Sequence, residues 1–305
     1  MATLSQFFPG GGIVPSNAIP IELLVVAGGG STSGSNAADP NPGAGAGRVF
    51  HAINLYVLPG VSYTVTVGAG GSSSKGGNSS FGSNLLCYGG GRGSAFDQTN
   101  AAGGSAGGGT YYGGYSSGRA PDLPSLFTPG NSNASADKLY INESTIIKDL
   151  GNSADAFAFQ NLSRYGSSGG GGAVNSGMGL AGAATDTYVA FSGVGGSAYS
   201  CGITGSDVYY GGGGTAYSSL TIGMQNNNNS SNPYFSTQSN TGRTNQGFAA
   251  GGTFSGVIEG GSGIVVVAYS SSLGAASTTG SPLTPTRTNY RVYRFTGSGS
   301  ITFPS

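Results

Sequence analysis

The stretch Tyr63-Thr64-Val65-Thr66-Val67-Gly68-Ala69-Gly70-Gly71 decides how this chain is read. Its first half alternates, with Tyr63, Val65 and Val67 on one side of an extended strand and Thr64 and Thr66 on the other. Its second half is a glycine tract with almost no side chain to bury. The same junction recurs at Leu23-Leu24-Val25-Val26-Ala27-Gly28-Gly29-Gly30, and in reverse order at Gly260-Gly261-Ser262-Gly263-Ile264-Val265-Val266-Val267-Ala268-Tyr269. Glycine alone makes a flexible linker. Glycine stitched at intervals by β-branched strands makes a folded object. The expectation is an all-β body, a β-sandwich or flattened β-roll, with ordered glycine-rich loops. Some of these are expected to run as polyproline-II-like segments, packed closely because glycine has no Cβ.

Composition supports a folded reading. Of 305 residues 61 are glycine, without the strict triplet period of collagen. Disordered chains combine high charge with few aromatics, whereas this one is 7% charged and keeps 17 Tyr and 14 Phe. Net charge is zero, and scattered Arg and Lys argue against a nucleic-acid partner, which calls for a clustered basic face. The tract Gly89-Gly90-Gly91-Arg92-Gly93 superficially resembles arginine–glycine segments of RNA-binding proteins, but it is a single instance. No run reaches the ~18–20 continuous apolar residues of a membrane span. The opening Met1–Pro9 lacks the basic region and apolar core of a secretory signal. Cys87 and Cys201 read as two small buried thiols, with a bridge between them left open.

Three regions follow from the pass along the chain. Residues 1–20 read as an N-terminal attachment arm in which the paired Phe7 and Phe8 dock onto another surface. Residues 21–270 read as the glycine-rich β domain. Its predicted strands include Leu23–Ala27 (a continuous apolar run buried on both faces), Arg48–Leu58, Ser62–Val67, Phe81–Tyr88 and Gly263–Tyr269. Within it, glycine nearly vanishes over 119–165 and charge gathers, so this stretch is expected to project as an insertion, with helical turns at Ser144–Leu150 and Ala154–Leu162. Residues 271–305 read as a Ser/Thr/Pro linker and a closing hairpin, Tyr290–Thr296 and Ser300–Phe303 around Gly297-Ser298-Gly299.

Chemistry is hard to assemble from these residues. The one histidine, His51, is expected to be structural, and with two distant cysteines a zinc site lacks ligands. Gly-x-Ser-x-Gly and Gly-x-Gly-x-x-Gly matches arise by chance in such a composition. Asp137, Glu143, Asp149 and Asp155 read as solvated charges of the insertion rather than paired acids in a cleft. No catalytic residue, metal or cofactor is expected. Adhesion chemistry remains, because tyrosines on glycine-flanked loops offer large contact area with few torsions to freeze. Tyr111, Tyr112 and Tyr115 fit that description; Tyr209 and Tyr210 read as core.

Four segments in order resemble a glycine-rich domain of bacteriophage virion proteins, chiefly tail fibres and appendages of marine phages. They are Ile21–Gly30, Pro59–Gly71 with Gly76–Phe81, Ile203–Gly211 and Gly261–Val267, spanning about residues 21–270. The charged stretch 119–165 and the shorter glycine tracts depart from that pattern. The resemblance implies a non-enzymatic virion protein, a tail-fibre or tip component contacting the host surface. The alternative is a capsid decoration or assembly subunit without a receptor role. It implies other virion proteins and further copies of the chain as partners, and location on the outer surface of a particle made in the host cytoplasm. Tyr111, Tyr112 and Tyr115 then become receptor-binding candidates for a surface glycan or envelope protein, and Phe7 and Phe8 candidates for virion attachment. In fibres of this type a segment like Tyr290–Phe303 precedes the strand like Leu23–Ala27, so it is expected to join that sheet, either of its own subunit or of a neighbouring one.

Overall fold

The structure, a computed structural model, describes residues 14–33, 42–93, 101–108, 110–112, 115–116, 123–127, 137–154, 166–167, 170–176, 191–192, 195–216, 244–251 and 257–305. The chain is all-β. No helix among the described residues is long and apolar enough to cross a membrane. Two large sheets make a sandwich. The first has five strands in the order Ile146–Leu150, Val49–Val57, Ile19–Val26, Ile264–Ser270 and Tyr290–Phe295, all neighbours antiparallel. The second has six, in the order Ser277–Thr279, Gly299–Thr302, Ser62–Thr66, Ser79–Phe81, Leu85–Cys87 and Leu126–Phe127. Leu23, Val25, Phe50, Val265, Val267 and Phe295 of the first meet Tyr63, Val65, Phe81, Leu85, Ile301 and Phe303 of the second in one buried core.

Strand pattern follows from what each face meets. Ser62–Thr66 buries only Tyr63 and Val65 and exposes Ser62, Thr64 and Thr66, the signature of a sheet covered on one side. Ile19–Val26 loses that alternation from Leu23 to Val26, where every residue is buried because its second face is covered too. Leu24 and Val26, with Val49, Ile264, Val266 and Val292, pack against Cys201, Ile203 and Tyr210 of a two-stranded hairpin, Tyr199–Cys201 with Val208–Tyr210. A bulge at Asn54, whose φ is +56°, interrupts Val49–Val57. It moves core residues from the even numbers Phe50 and Ala52 to the odd numbers Leu55 and Val57, as one inserted residue must.

Beyond one end of the sandwich the strands run on into a bundle of glycine-rich segments. The hydrogen bonds there recur every third residue. Ala27 and Gly30 donate to Arg48 and Gly45 of one neighbour, Gly28 and Ser31 to Gly77 and Ser74 of a second, and Gly29 to Gly261 of a third. Ala44 and Gly47 donate to Ala250 and Gly247, Gly45 and Arg48 to Gly91 and Tyr88, and Ala46 to Gly171. Three residues per turn is the period of the polyproline-II helix, which has no internal hydrogen bonds and so leaves every amide free for a neighbour. The segment 27–31 is surrounded by 43–48, 68–71, 74–77, 89–93, 247–251 and 260–263, bonded to each. Glycine is required by proximity. A Cβ on Gly28, Gly29, Gly30 or Gly45 would stand closer than 3.0 Å to the carbonyl oxygen of Ala69, Phe248, Gly91 or Ser105 respectively. The glycine Cα–H therefore points at that oxygen, a weak hydrogen bond of about 0.5–1 kcal/mol.

Several expectations are corrected. Ser144–Leu150 holds no helical turn: Ile146–Leu150 is the edge strand beside Val49–Val57. Seven residues are too few to nucleate a helix unaided, while Ile146 and Ile147 are β-branched and an unpaired strand edge stands open to them. The stretch 119–165 is not merely a projection. Leu139 and Ile141 lie in the sandwich core, and Arg48, buried at 7% side-chain exposure, makes two contacts with Asp149 at 2.8 and 3.0 Å. Phe81–Tyr88 is two strands, Ser79–Phe81 and Leu85–Cys87, turned at Gly82, whose φ is +60°. The C-terminal segment is not a hairpin. Tyr290–Phe295 pairs with Ile264–Ser270 in the five-stranded sheet, whereas Gly299–Thr302 crosses to pair with Ser62–Thr66 in the other. It does join the sheet containing Ile19–Val26, and does so within its own chain.

Candidate functional site

The molecule has two unlike poles. At the sandwich pole the chain enters the body, Ile19 opposite Val57, and leaves it, with Gly60 donating to the Phe303 carbonyl. At the bundle pole one layer of hydrogen bonds links Gly30, Ala250, Ala44, Gly214, Gly170 and Gly196. The layer is tied further by the Thr32–Gly93 bridge and by Thr32 Oγ1 donating to the Gly251 carbonyl.

The tyrosine candidates stand at this pole. Segment 103–108 runs outward from Gly104, bonded to Gly89, to Gly108, bonded to Gly43. Next among the described residues comes Thr110–Tyr112, paired antiparallel with Tyr115–Ser116. Tyr112 stands opposite Tyr115 and Tyr111 opposite Ser116. The pair belongs to a four-stranded sheet completed by Gly166–Ser167 and Phe191–Ser192, each of which leads into another glycine segment. The structure thus brings Tyr111, Tyr112 and Tyr115 together. Tyr210 is buried, as expected of a core residue, and Tyr209 is half-buried. Phe7 and Phe8, with most of the expected arm, lie outside the described residues, as does 155–162.

A polar cluster that sequence reasoning missed lies on the face of the five-stranded sheet beneath the hairpin. Strand register sets Leu24 and Lys148 opposite His51, which leaves Glu22 diagonal to it on the same face. The hairpin adds Tyr199 and Cys201. His51 Nε2 meets Glu22 Oε1 at 3.0 Å and Cys201 Sγ at 3.8 Å, while Nδ1 meets the Tyr199 hydroxyl at 2.9 Å. Arg287 Nη1 donates to Glu22 Oε2 at 2.6 Å, and Lys148 Nζ to the Tyr199 hydroxyl at 3.4 Å. Burial opposes charge on the ring, but the hydrogen bonds of Cys201 and Glu22 outweigh it and push His51 up to about 10. Burial likewise opposes the Glu22 carboxylate, yet His51 and Arg287 hold it below the usual range. This is not a nucleophilic triad, in which nucleophile and orienting acid meet opposite ring nitrogens; thiol and carboxylate both close on Nε2. Cys87 is a separate buried free thiol, pushed up to about 12 by burial.

The expectation that a metal site lacks ligands was drawn from two cysteines distant in sequence. The fold gathers ligand atoms of Glu22, His51 and Cys201 within 4.8 Å of one another. Nothing in the spacing of 22, 51 and 201 signals this, because it depends on the hairpin folding over the sheet.

The sequence model of the family described as "Glycine-rich domain" matches residues 10–270. No curated protein and no solved structure matches the chain.

Proposed function

The chain belongs to the glycine-rich domain family, and on that footing we propose that it is a non-enzymatic phage virion protein, a tail-fibre or tip component that contacts the host surface through its bundle pole. The observation that carries this reading is the polarity of the body. Strand ends Ile19 and Val57 and the Gly60–Phe303 bond mark the sandwich pole, while the tyrosine strands and the bonded glycine layer mark the other. The resemblance to virion appendage proteins over residues 21–270 supplies the setting. A cross-linked bundle holds its loops without needing a large apolar core beneath them, which suits a part that must present variable contacts on a constant support. Tyr111, Tyr112 and Tyr115 are the binding anchors for a surface glycan or envelope protein. The sandwich pole faces other virion proteins or further copies of the chain.

Two measurements test this. Immunogold labelling of particles should place the protein on the tail fibre or its tip; label on the capsid would favour a decoration subunit instead. Replacing all three tyrosines with alanine should weaken attachment of purified protein to host cells at least ~10-fold, about 1.4 kcal/mol, at unchanged melting temperature. Unchanged attachment at unchanged stability removes them from the contact.

A further inference from the structure

We propose that Glu22 Oε1, His51 Nε2 and Cys201 Sγ form a site for one thiophilic divalent cation of the zinc class, with a water as fourth ligand. The three side chains come from two strands of the five-stranded sheet and from the hairpin that covers it. Zinc bonds of ~2.0–2.1 Å to nitrogen and oxygen and ~2.3 Å to sulfur give tetrahedral ligand–ligand edges of roughly 3.3–3.6 Å. The edges from His51 Nε2 are 3.0 Å to Glu22 and 3.8 Å to Cys201, and all three ligand atoms lie within 4.8 Å of one another, so side-chain shifts of at most about 1 Å seat the ion. Thiolate with imidazole favours zinc over magnesium or calcium, which prefer all-oxygen shells.

The surrounding groups are placed as outer partners of ligands. His51 Nδ1 meets the Tyr199 hydroxyl, whose oxygen also accepts from Lys148. That oxygen can accept from Nδ1–H, which leaves the lone pair on Nε2 for the metal. Glu22 Oε2 is held by Arg287, itself fixed by donation to the Ile203 carbonyl and by its guanidinium 4.0 Å over the Tyr290 ring. Glu22 is thereby left to ligate through Oε1 alone.

Full-length protein washed with chelator should take up one equivalent of Co²⁺ and develop a thiolate-to-cobalt charge-transfer band in the near ultraviolet. Zn²⁺ should displace it and Mg²⁺ or Ca²⁺ should not. Cys201→Ala and His51→Gln should abolish the band, and Cys87→Ala should keep it. If the first two variants fail to fold, the X-ray absorption spectrum of zinc-loaded wild type decides, and should show one sulfur among nitrogen and oxygen ligands. Absence of the band in wild type, its loss in Cys87→Ala, or a first shell without sulfur would overturn the site. The cluster would then be an imidazolium–carboxylate ion pair and no more.

Discussion

An interior glycine of the bundle gives its amide to one neighbour and its Cα hydrogen to the carbonyl of another, so its missing Cβ is a steric requirement. Gly45→Ala would drive a methyl group into the Ser105 and Ala106 carbonyls. Overpacking costs about 1–3 kcal/mol where side chains can shift; backbone on both sides cannot shift as easily, so a loss near ~3 kcal/mol is expected in urea unfolding. Gly297→Ala meets nothing within 4 Å and should change stability by less than ~0.5 kcal/mol. Equal effects of the two substitutions would refute close packing as the reason for glycine. Arg48 makes the opposite case, a buried charge paired with the Asp149 carboxylate. Besides Asp149 it reaches the Gly104 and Gly151 carbonyls, so Asp149→Ala leaves an uncompensated buried guanidinium at a cost of roughly 3–5 kcal/mol, read as a fall in melting temperature. The Glu22–His51 pair sets a pH dependence in chelator-treated protein. His51 is raised from 6.5 to about 10, so its contribution is full below 6.5 and fades as pH rises towards 10. Glu22 is lowered from 4.5, so its contribution is present above 4.5 and fades at lower pH. Melting temperature should therefore fall on both sides of a window near pH 4.5–6.5, and Glu22→Gln should flatten the alkaline limb.

At the scale of elements, the strands that touch glycine were the legible ones. The run Leu23–Ala27 announces two buried faces and the alternation in Ser62–Val67 announces one, and both strands take those roles. Ile146–Leu150 was hidden because its five residues carry charge at Lys148 and Asp149 and show no alternation: as an edge strand it takes its conformation from the neighbour's hydrogen bonds rather than from burial. The C-terminal strands were legible individually, but a three-residue connection containing glycine fits a hairpin and a sheet-to-sheet corner equally well. What decides is the partner each strand finds, Ile264–Ser270 for one and Ser62–Thr66 for the other. The tyrosine hairpin was visible as Tyr-Tyr-Gly-Gly-Tyr, whereas the Glu22–His51–Cys201 cluster required the folded topology. Deleting 290–305 removes an edge strand from one sheet and opens the other between Ser277–Thr279 and Ser62–Thr66. The truncated chain should be insoluble or lack near-ultraviolet circular dichroism; a soluble product with the full-length melting temperature would show that these strands add nothing.

At the scale of the whole molecule, the bundle cannot form in pieces. The bonds of segment 27–31 reach 43–48, 74–77, 89–93, 247–251 and 260–263, and an isolated polyproline-II segment has no bonds of its own. Its order is therefore collective. Amide hydrogens of Gly45, Gly91 and Gly171 should exchange with solvent only when the whole domain opens, at the rate of Val25 in the sandwich; exchange in the range of unprotected loops would show the bundle to be loose. The two poles carry one further consequence. If the protein is anchored at the sandwich and pulled by what it holds at the bundle, the load runs along the glycine segments and at right angles to the hydrogen bonds between them. Those bonds are then sheared together, whereas a load across the bundle would peel them apart one row at a time. The direction in which tension arrives is the direction in which this body is hardest to tear.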